Sequence, residues 1–203
     1  FYEGVDVAAV PKEDQGGAGT LTPAQKKRLI TIALETIRLY VSEGKTMDVQ
    51  EGDERLNQQE GAFVTIHKHG QLRGCIGNIV GRQPLYLTVR DMAVAAAAQD
   101  PRFNPVSKEE LREIDIEISV LSEPRPAASP EEIQMGVHGV IVKRGFHQGV
   151  FLPQVATETG WSREEFLSQL CGQKAGLPPD AWKDPRTQLL IFTATVFSES
   201  DVQ

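Results

Sequence analysis

Arg73 and Cys75 stand two residues apart in QLRGCIGNIVG (71–81), among glycines at 74, 77 and 81. Residues i and i+2 of an extended strand share a face, so this spacing sets a guanidinium beside a thiol. A neighbouring cation favours the thiolate, which is the nucleophilic form. His67 and His69 lie across a hairpin from the pair and are its candidate bases. A second reading needs no chemistry: Cys75 packs as a small hydrophobe in a bulged strand, as free cysteines often do. The residues alone leave both open. Glycines at this density also let another group approach the backbone, so Gly74, Gly77 and Asn78 are candidate ligand contacts. A phosphate is one such group, yet neither a Walker lysine–serine pair nor GxGxxG is present.

The stretch QDPRFNP (99–105) brings a second cation. Asp100-Pro101 stops the preceding helix, and Arg102 sits in a proline-flanked loop with Phe103 as an anchor. One reading is a helix stop with a surface arginine. The other is a guanidinium fixed for a carboxylate or phosphate in one pocket with Arg73. His67-x-His69 can be a metal pair, but no third ligand stands at a telling spacing, and His138 and His147 belong to another hairpin. No metal site is expected. No G-x-S-x-G motif supports a serine triad. The catalytic candidates are thus Cys75 and Arg73, and the ligand-binding candidates Gly74, Gly77, Asn78, Asp100 and Arg102.

The elements that must position these residues are legible. Thr22-Pro23-Ala24-Gln25 is a helix start, with Thr at the N-cap and Pro in the first turn. Leu29, Ala33, Ile37, Tyr40 and Val41 then recur at helical spacing until Gly44. GAFVTIHKHGQLRGCIG predicts two strands around a turn at His69-Gly70, and QPLYLTVRDMAVAAAAQD a helix with small side chains for close packing. Ser107 caps a short turn, and IDIEISVL alternates as a half-buried strand. SEPRPAASP (122–130) is the candidate linker. VHGVIVKRGFHQGVFL predicts a second strand pair, Ser162 starts a helix, and TQLLIFTATVF reads as one strand covered on both faces.

This mixture predicts an α+β fold with mainly antiparallel sheet and flanking helices. The expected organisation is an arm over 1–20, a first subdomain over 21–125, and a second over 126–203 whose final strand returns to the first. Shifting by 75 residues aligns Ile66, Lys68, Gly70 and Gly74 with Ile141, Lys143, Gly145 and Gly149, which leaves open an internal duplication or a chance match of residues common in hairpins.

The 203 residues carry 21 basic and 28 acidic side chains, a net charge of −7. Nucleic-acid binders normally show a basic excess or stripe, so that class is disfavoured. No apolar run approaches the ~20 residues that span a bilayer, and the segment before Thr20 has no signal-peptide pattern. Two cysteines, Cys75 and Cys171, fit a reducing, cytoplasmic setting.

LRGCIG (72–77) is the signature hexapeptide of the AMMECR domain family, and other blocks resemble it too. These are GAFVT (61–65), DPRF (100–103), IDIEISVLSEP (114–124), VFLPQVATETGW (150–161) and EEFLSQLCGQKAGL (164–177). The resemblance covers about residues 20–200. The LPQVA and KAGL forms look like the prokaryotic branch, whose members are called AmmeMemoRadiSam system protein A. It implies an α+β fold of two unequal subdomains with a cleft between them. It also implies a Memo-like protein and a radical SAM protein as partners in a modification pathway. It brings no established reaction or cofactor, and it makes Arg73, Cys75, Asp100 and Arg102 family-motif positions only. The expected function is a binding component that holds a ligand or partner near LRGCIG. The alternatives are a cysteine-dependent enzyme using Cys75 and a nucleic-acid or regulatory module.

Overall fold

The computed structural model describes residues 20–202, so nearly all of the arm expected over 1–20 lies outside the described residues. Two compact units are present. One takes the described chain up to Glu123 and resumes at Thr195; the other is Pro124–Ala194.

The first unit opens with α1 (Pro23–Glu43). The Thr22 hydroxyl accepts from the Gln25 N–H at 3.3 Å, while the Gln25 side chain accepts from the Thr22 N–H at 2.9 Å. This reciprocal pairing satisfies two donors that the helix itself cannot. Gly44, at φ 71°, ends the helix. Next come β1 (Gly61–Lys68) and β2 (Gln71–Asn78), then α2 (Leu85–Ala98) and β3 (Ile114–Leu121). His69 and Gly70 both have positive φ, the signature of a two-residue hairpin turn that follows the sheet's twist. Ala62, Val64 and Ile66 of β1 stand opposite Val120, Ile118 and Ile116 of β3. All six join one core with the buried faces of α1 and α2.

The second unit contains β4 (Arg125–Pro126), β5 (Gly139–Arg144), β6 (His147–Phe151), α3 (Pro153–Thr159) and α4 (Arg163–Gln169). The chain of α4 widens into a π turn over Leu170–Lys174 and then reaches β7 (Gln188–Phe192). Phe166, Leu167, Leu170 and Cys171 fill its core beside Val140, Val142 and Ile191.

One expectation is refined and one corrected. The candidate linker over 122–130 holds the boundary between the units at Glu123/Pro124, and it also contains β4, which pairs with β7 through Arg125↔Ile191 and Pro126↔Leu190. A proline is tolerated there because β4 is the outer strand of its sheet. TQLLIFTATVF is not one strand. β7 stops at Phe192, and after Thr193 the chain enters β8 (Ala194–Ser198) in the other sheet. A continuous apolar run carries no period that would mark such a break.

The sheet orders are β2-β1-β3-β8 and β4-β7-β5-β6. In each, a hairpin's second strand is outermost and its first strand pairs with the strand that follows the helix. The fourth places are exchanged: β4 follows β3 along the chain but completes the second sheet, and β8 follows β7 but completes the first. The sequence echo therefore corresponds to a repeated hairpin, helix and strand. Its shared glycine has a shared cause. A Cβ on Gly74 would lie 2.3 Å from the Ala96 carbonyl oxygen, and one on Gly149 would lie 2.7 Å from the Ala175 nitrogen. Both positions let the end of a helix approach the outer hairpin strand.

Candidate functional site

The site is built on the outer edge of β2. Cys75 stands opposite Thr65 of β1, and its N–H points away from that partner to donate to Asp100 Oδ2 at 2.9 Å. An antiparallel pair that exchanges no backbone bonds brings its side chains close. Here the Thr65 hydroxyl donates to Cys75 Sγ at 3.2 Å.

Asp100 follows the end of α2. Its carboxylate also accepts from the Arg102 backbone N–H at 3.1 Å, from Nε at 3.0 Å and from Nη2 at 2.7 Å. The Asp100 side chain is 2% exposed and that of Arg102 is 26% exposed, so the carboxylate is the buried member of the pair. Burial alone would raise its pKa. The Arg102 side chain and the Cys75 N–H outweigh it, and the carboxyl titrates at about 2. This one group caps an otherwise open strand edge and fixes the 100–105 loop against β2.

Arg73 has a different partner from the one its spacing predicts. Between Ile66 and His67 the register slips from Gly74 to Leu72, leaving Arg73 as the extra residue of a bulge. A bulge breaks the two-residue period and re-aims the side chain. The guanidinium grips Glu110, with Nε at 3.0 Å and Nη2 at 2.9 Å, and also donates to the Pro105 carbonyl at 3.4 Å. Arg73 holds the Glu110 carboxyl down at about 2, helped by the Ser107 N–H and by Lys68. Phe103 lies beside both cations, its ring centre 5.9 Å from the Arg73 guanidinium carbon and 5.5 Å from that of Arg102.

Burial pushes Cys75 up, and the Thr65 hydroxyl and the Arg102 charge offset this only in part. The cation it senses is Arg102, not Arg73 as expected. The histidines have carboxylate neighbours instead. His67 Nδ1 lies 3.9 Å from Asp115 of β3, on the side of β1 away from β2, and His69 Nε2 lies 3.2 Å from Glu113. Among the described residues no group of three or more His, Cys, Asp or Glu is placed to hold a metal ion.

The remaining predicted residues have structural places. The space beside Gly74 is taken by Ala96, and that beside Gly77 by the Phe63 ring, 2.3 Å from where a Cβ would stand. Asn78 is exposed at the end of β2. So the fold gathers Arg73, Cys75, Asp100 and Arg102 along one edge, while Gly74 and Gly77 serve packing.

The sequence points to Glu110 only as the capping partner of Ser107, a contact the fold makes at 3.0 Å, and it gives no role to Thr65 or to a second Asp-Pro-Arg. Asp184 accepts from the Arg186 backbone N–H at 2.9 Å, from Nε at 3.0 Å and from Nη2 at 2.6 Å. That repeats the Asp100–Arg102 clip bond for bond. In this copy Asp184 takes Arg144 Nη1 at 3.2 Å where Asp100 takes a backbone N–H. The repeated tripeptide DPR, at 100–102 and 184–186, was the available signal.

The acid stability of the protein follows from these pairs. Unfolded Asp and Glu titrate near 3.9 and 4.3, whereas Asp100 and Glu110 do so at about 2 in the fold. A depressed carboxyl contributes stability above its unfolded pKa and loses it as pH falls toward its folded one. The urea midpoint is expected to hold above about pH 4.5 and to fall steeply between about 4 and 2. Asp100→Asn should make that limb shallower by about one proton.

A family described as AMMECR1 matches residues 30–197. A protein of Methanothermobacter thermautotrophicus is 43% identical over 186 residues, covering 88% of this chain and 96% of that protein. Protein NEQ441 of Nanoarchaeum equitans is 44% identical over 168 residues, covering 79% and 93%. The crystal structure of the uncharacterized protein PH0010 from Pyrococcus horikoshii superposes with a TM-score of 0.76 at 38% identity, over 85% of this chain and 90% of that one. No described helix is long and apolar enough to cross a membrane.

Proposed function

The chain belongs to the AMMECR1 family, and from that premise we propose that it is a binding component and not an enzyme that uses Cys75. The binding surface is the loop 100–105 where it lies along β2, with Phe103 beside two guanidiniums. The observation that carries this reading is the Asp100 carboxylate. It holds the Cys75 backbone and the Arg102 head at once, which makes the family-motif residues a rigid surface and leaves them short of a nucleophile–base pair. An activated nucleophile needs a base within hydrogen-bond reach or a depressed pKa; Cys75 is bonded by a threonine and its pKa is raised. The partner in this reading is a Memo-like protein acting with a radical SAM protein in a cytoplasmic modification pathway, as the family resemblance suggests.

Titration calorimetry with the purified Memo-like protein of the same genome tests it. Phe103→Ala removes an aromatic contact next to arginine, the composition of an interface hot spot, and should weaken binding at least ~10-fold. Cys75→Ala keeps the backbone N–H that Asp100 needs and should leave affinity within about twofold. Loss of binding in Cys75→Ala with full binding in Phe103→Ala, or no complex with the wild type, would sink the proposal.

A further inference from the structure

The other hairpin carries a feature that this reading does not use. Val80 and Phe146 are the exposed large hydrophobics among the described residues, Val80 at 52% and Phe146 at 108% of full exposure. Phe146 follows Gly145 in the two-residue turn between β5 and β6, and Gly145 has φ 60°. A turn that opens on a left-handed glycine constrains little about the next side chain, so the phenylalanine is not there to make the turn.

The first unit shows the contrast. Its equivalent tip is His69-Gly70, with no apolar side chain. Its cations are already answered, since Lys68 meets Glu110 at 3.2 Å and Glu113 at 2.9 Å, and His69 meets Glu113. The second tip has Lys143, Arg144, Phe146 and His147 in sequence, with Arg186 gathered beside Arg144 through Asp184. Arg186 is 80% exposed. Asp184 answers Arg144 and Arg186 together, and with the exposed Lys143 on β5 that leaves cations in excess at this end of the hairpin, within a chain of −7. An aromatic with arginines is the composition enriched at protein interfaces, and a positive rim selects a negative counterpart.

We propose that the β5–β6 tip is a docking finger for a partner protein whose surface offers an apolar recess, for Phe146, rimmed by carboxylates, for Lys143 and Arg186. One aromatic buries little apolar area in a membrane, and Lys143, Arg144 and Arg186 fall short of the four to eight cations of a polybasic patch. A cation excess this small falls short of the basic stripe that nucleic-acid binders show. The site stands in a different unit from the 100–105 loop and does not depend on that loop's role.

The test is to install the photo-crosslinker p-benzoylphenylalanine at position 146 of the full chain in its native host, with position 80 as the control. A fully exposed site tolerates the change without refolding. The expected result is a discrete protein adduct at 146 and not at 80, whose crosslinked peptide, identified by mass spectrometry, places Asp or Glu beside apolar residues. Its yield should fall at least ~5-fold in Lys143→Glu, and also in Arg186→Gln, an independent variant that introduces no repulsion. An adduct with lipid, with RNA or with a second copy of this chain overturns the proposal. So does a yield indifferent to both substitutions, or no adduct beyond the control.

Discussion

Gly74→Ala is expected to destabilise the first unit by about 4 kcal/mol or more, at the extreme end of single substitutions. The new Cβ would meet the Ala96 carbonyl oxygen at 2.3 Å and its carbon at 3.2 Å. Both are backbone atoms of α2, so no side chain can rotate out of the way. Either the helix lifts from the sheet or β2 moves outward. Lifting α2 would loosen Leu85, Val89, Ala93 and Ala97 in the core. Overpacked cores usually lose 1–3 kcal/mol by small shifts, and a clash between two backbones exceeds that range. Gly70→Ala is the control. It sits at φ 76° with nothing within 4 Å of the new atom, so its cost is the left-handed strain alone, about 1–2 kcal/mol. Urea unfolding should separate the two variants clearly. A Gly74→Ala midpoint close to wild type would mean that the glycine is not required for packing.

Asp100→Ala has the second largest expected effect. It strips the carboxylate from the Cys75 N–H and from three donors of Arg102. Breaking a buried ion pair by removing one partner costs about 3–5 kcal/mol. The lower figure applies here, because Arg102 is about a quarter exposed and its orphaned charge can rehydrate. For a chain of this size about 3 kcal/mol corresponds to a fall in Tm of roughly 6–12 °C. Combining Asp100→Ala with Arg102→Ala should cost less than the sum of the single effects, since the two residues share one interaction. Additive losses would show that the clip contributes nothing as a unit.

The local elements were legible because their signals are local. Thr22, Pro23 and Gln25 mark the start of α1 within one turn, and His69-Gly70 marks the first hairpin within two residues. The break at Thr193 was not legible, since β7 and β8 join in one apolar run whose two halves serve different sheets. The site was half legible. Arg73, Cys75, Asp100 and Arg102 all stand where the fold brings them together, but the pairing within the group is tertiary. Arg73 finds Glu110 37 residues away, and Cys75 finds Asp100 25 residues away. Neither separation is periodic, and the bulge at Arg73 defeats the strand rule that would have paired it with Cys75. The second Asp-Pro-Arg was visible but escaped a single-offset comparison. The glycines repeat at 75 residues and the clips at 84, because the second helical region and its connection are longer.

In the proposed function LRGCIG is a scaffold and a surface, with Cys75 as a held thiol. Alkylation by iodoacetamide across pH 6–10, read at the Cys75 peptide by mass spectrometry, measures this directly, since Cys171 is fully buried. The predicted result is a rate that keeps rising past pH 8.5, the ordinary thiol value, and stays below that of a free thiol throughout. A rate that levels off by about pH 7.5 and exceeds the free thiol would contradict the account and return Cys75 to the role of nucleophile.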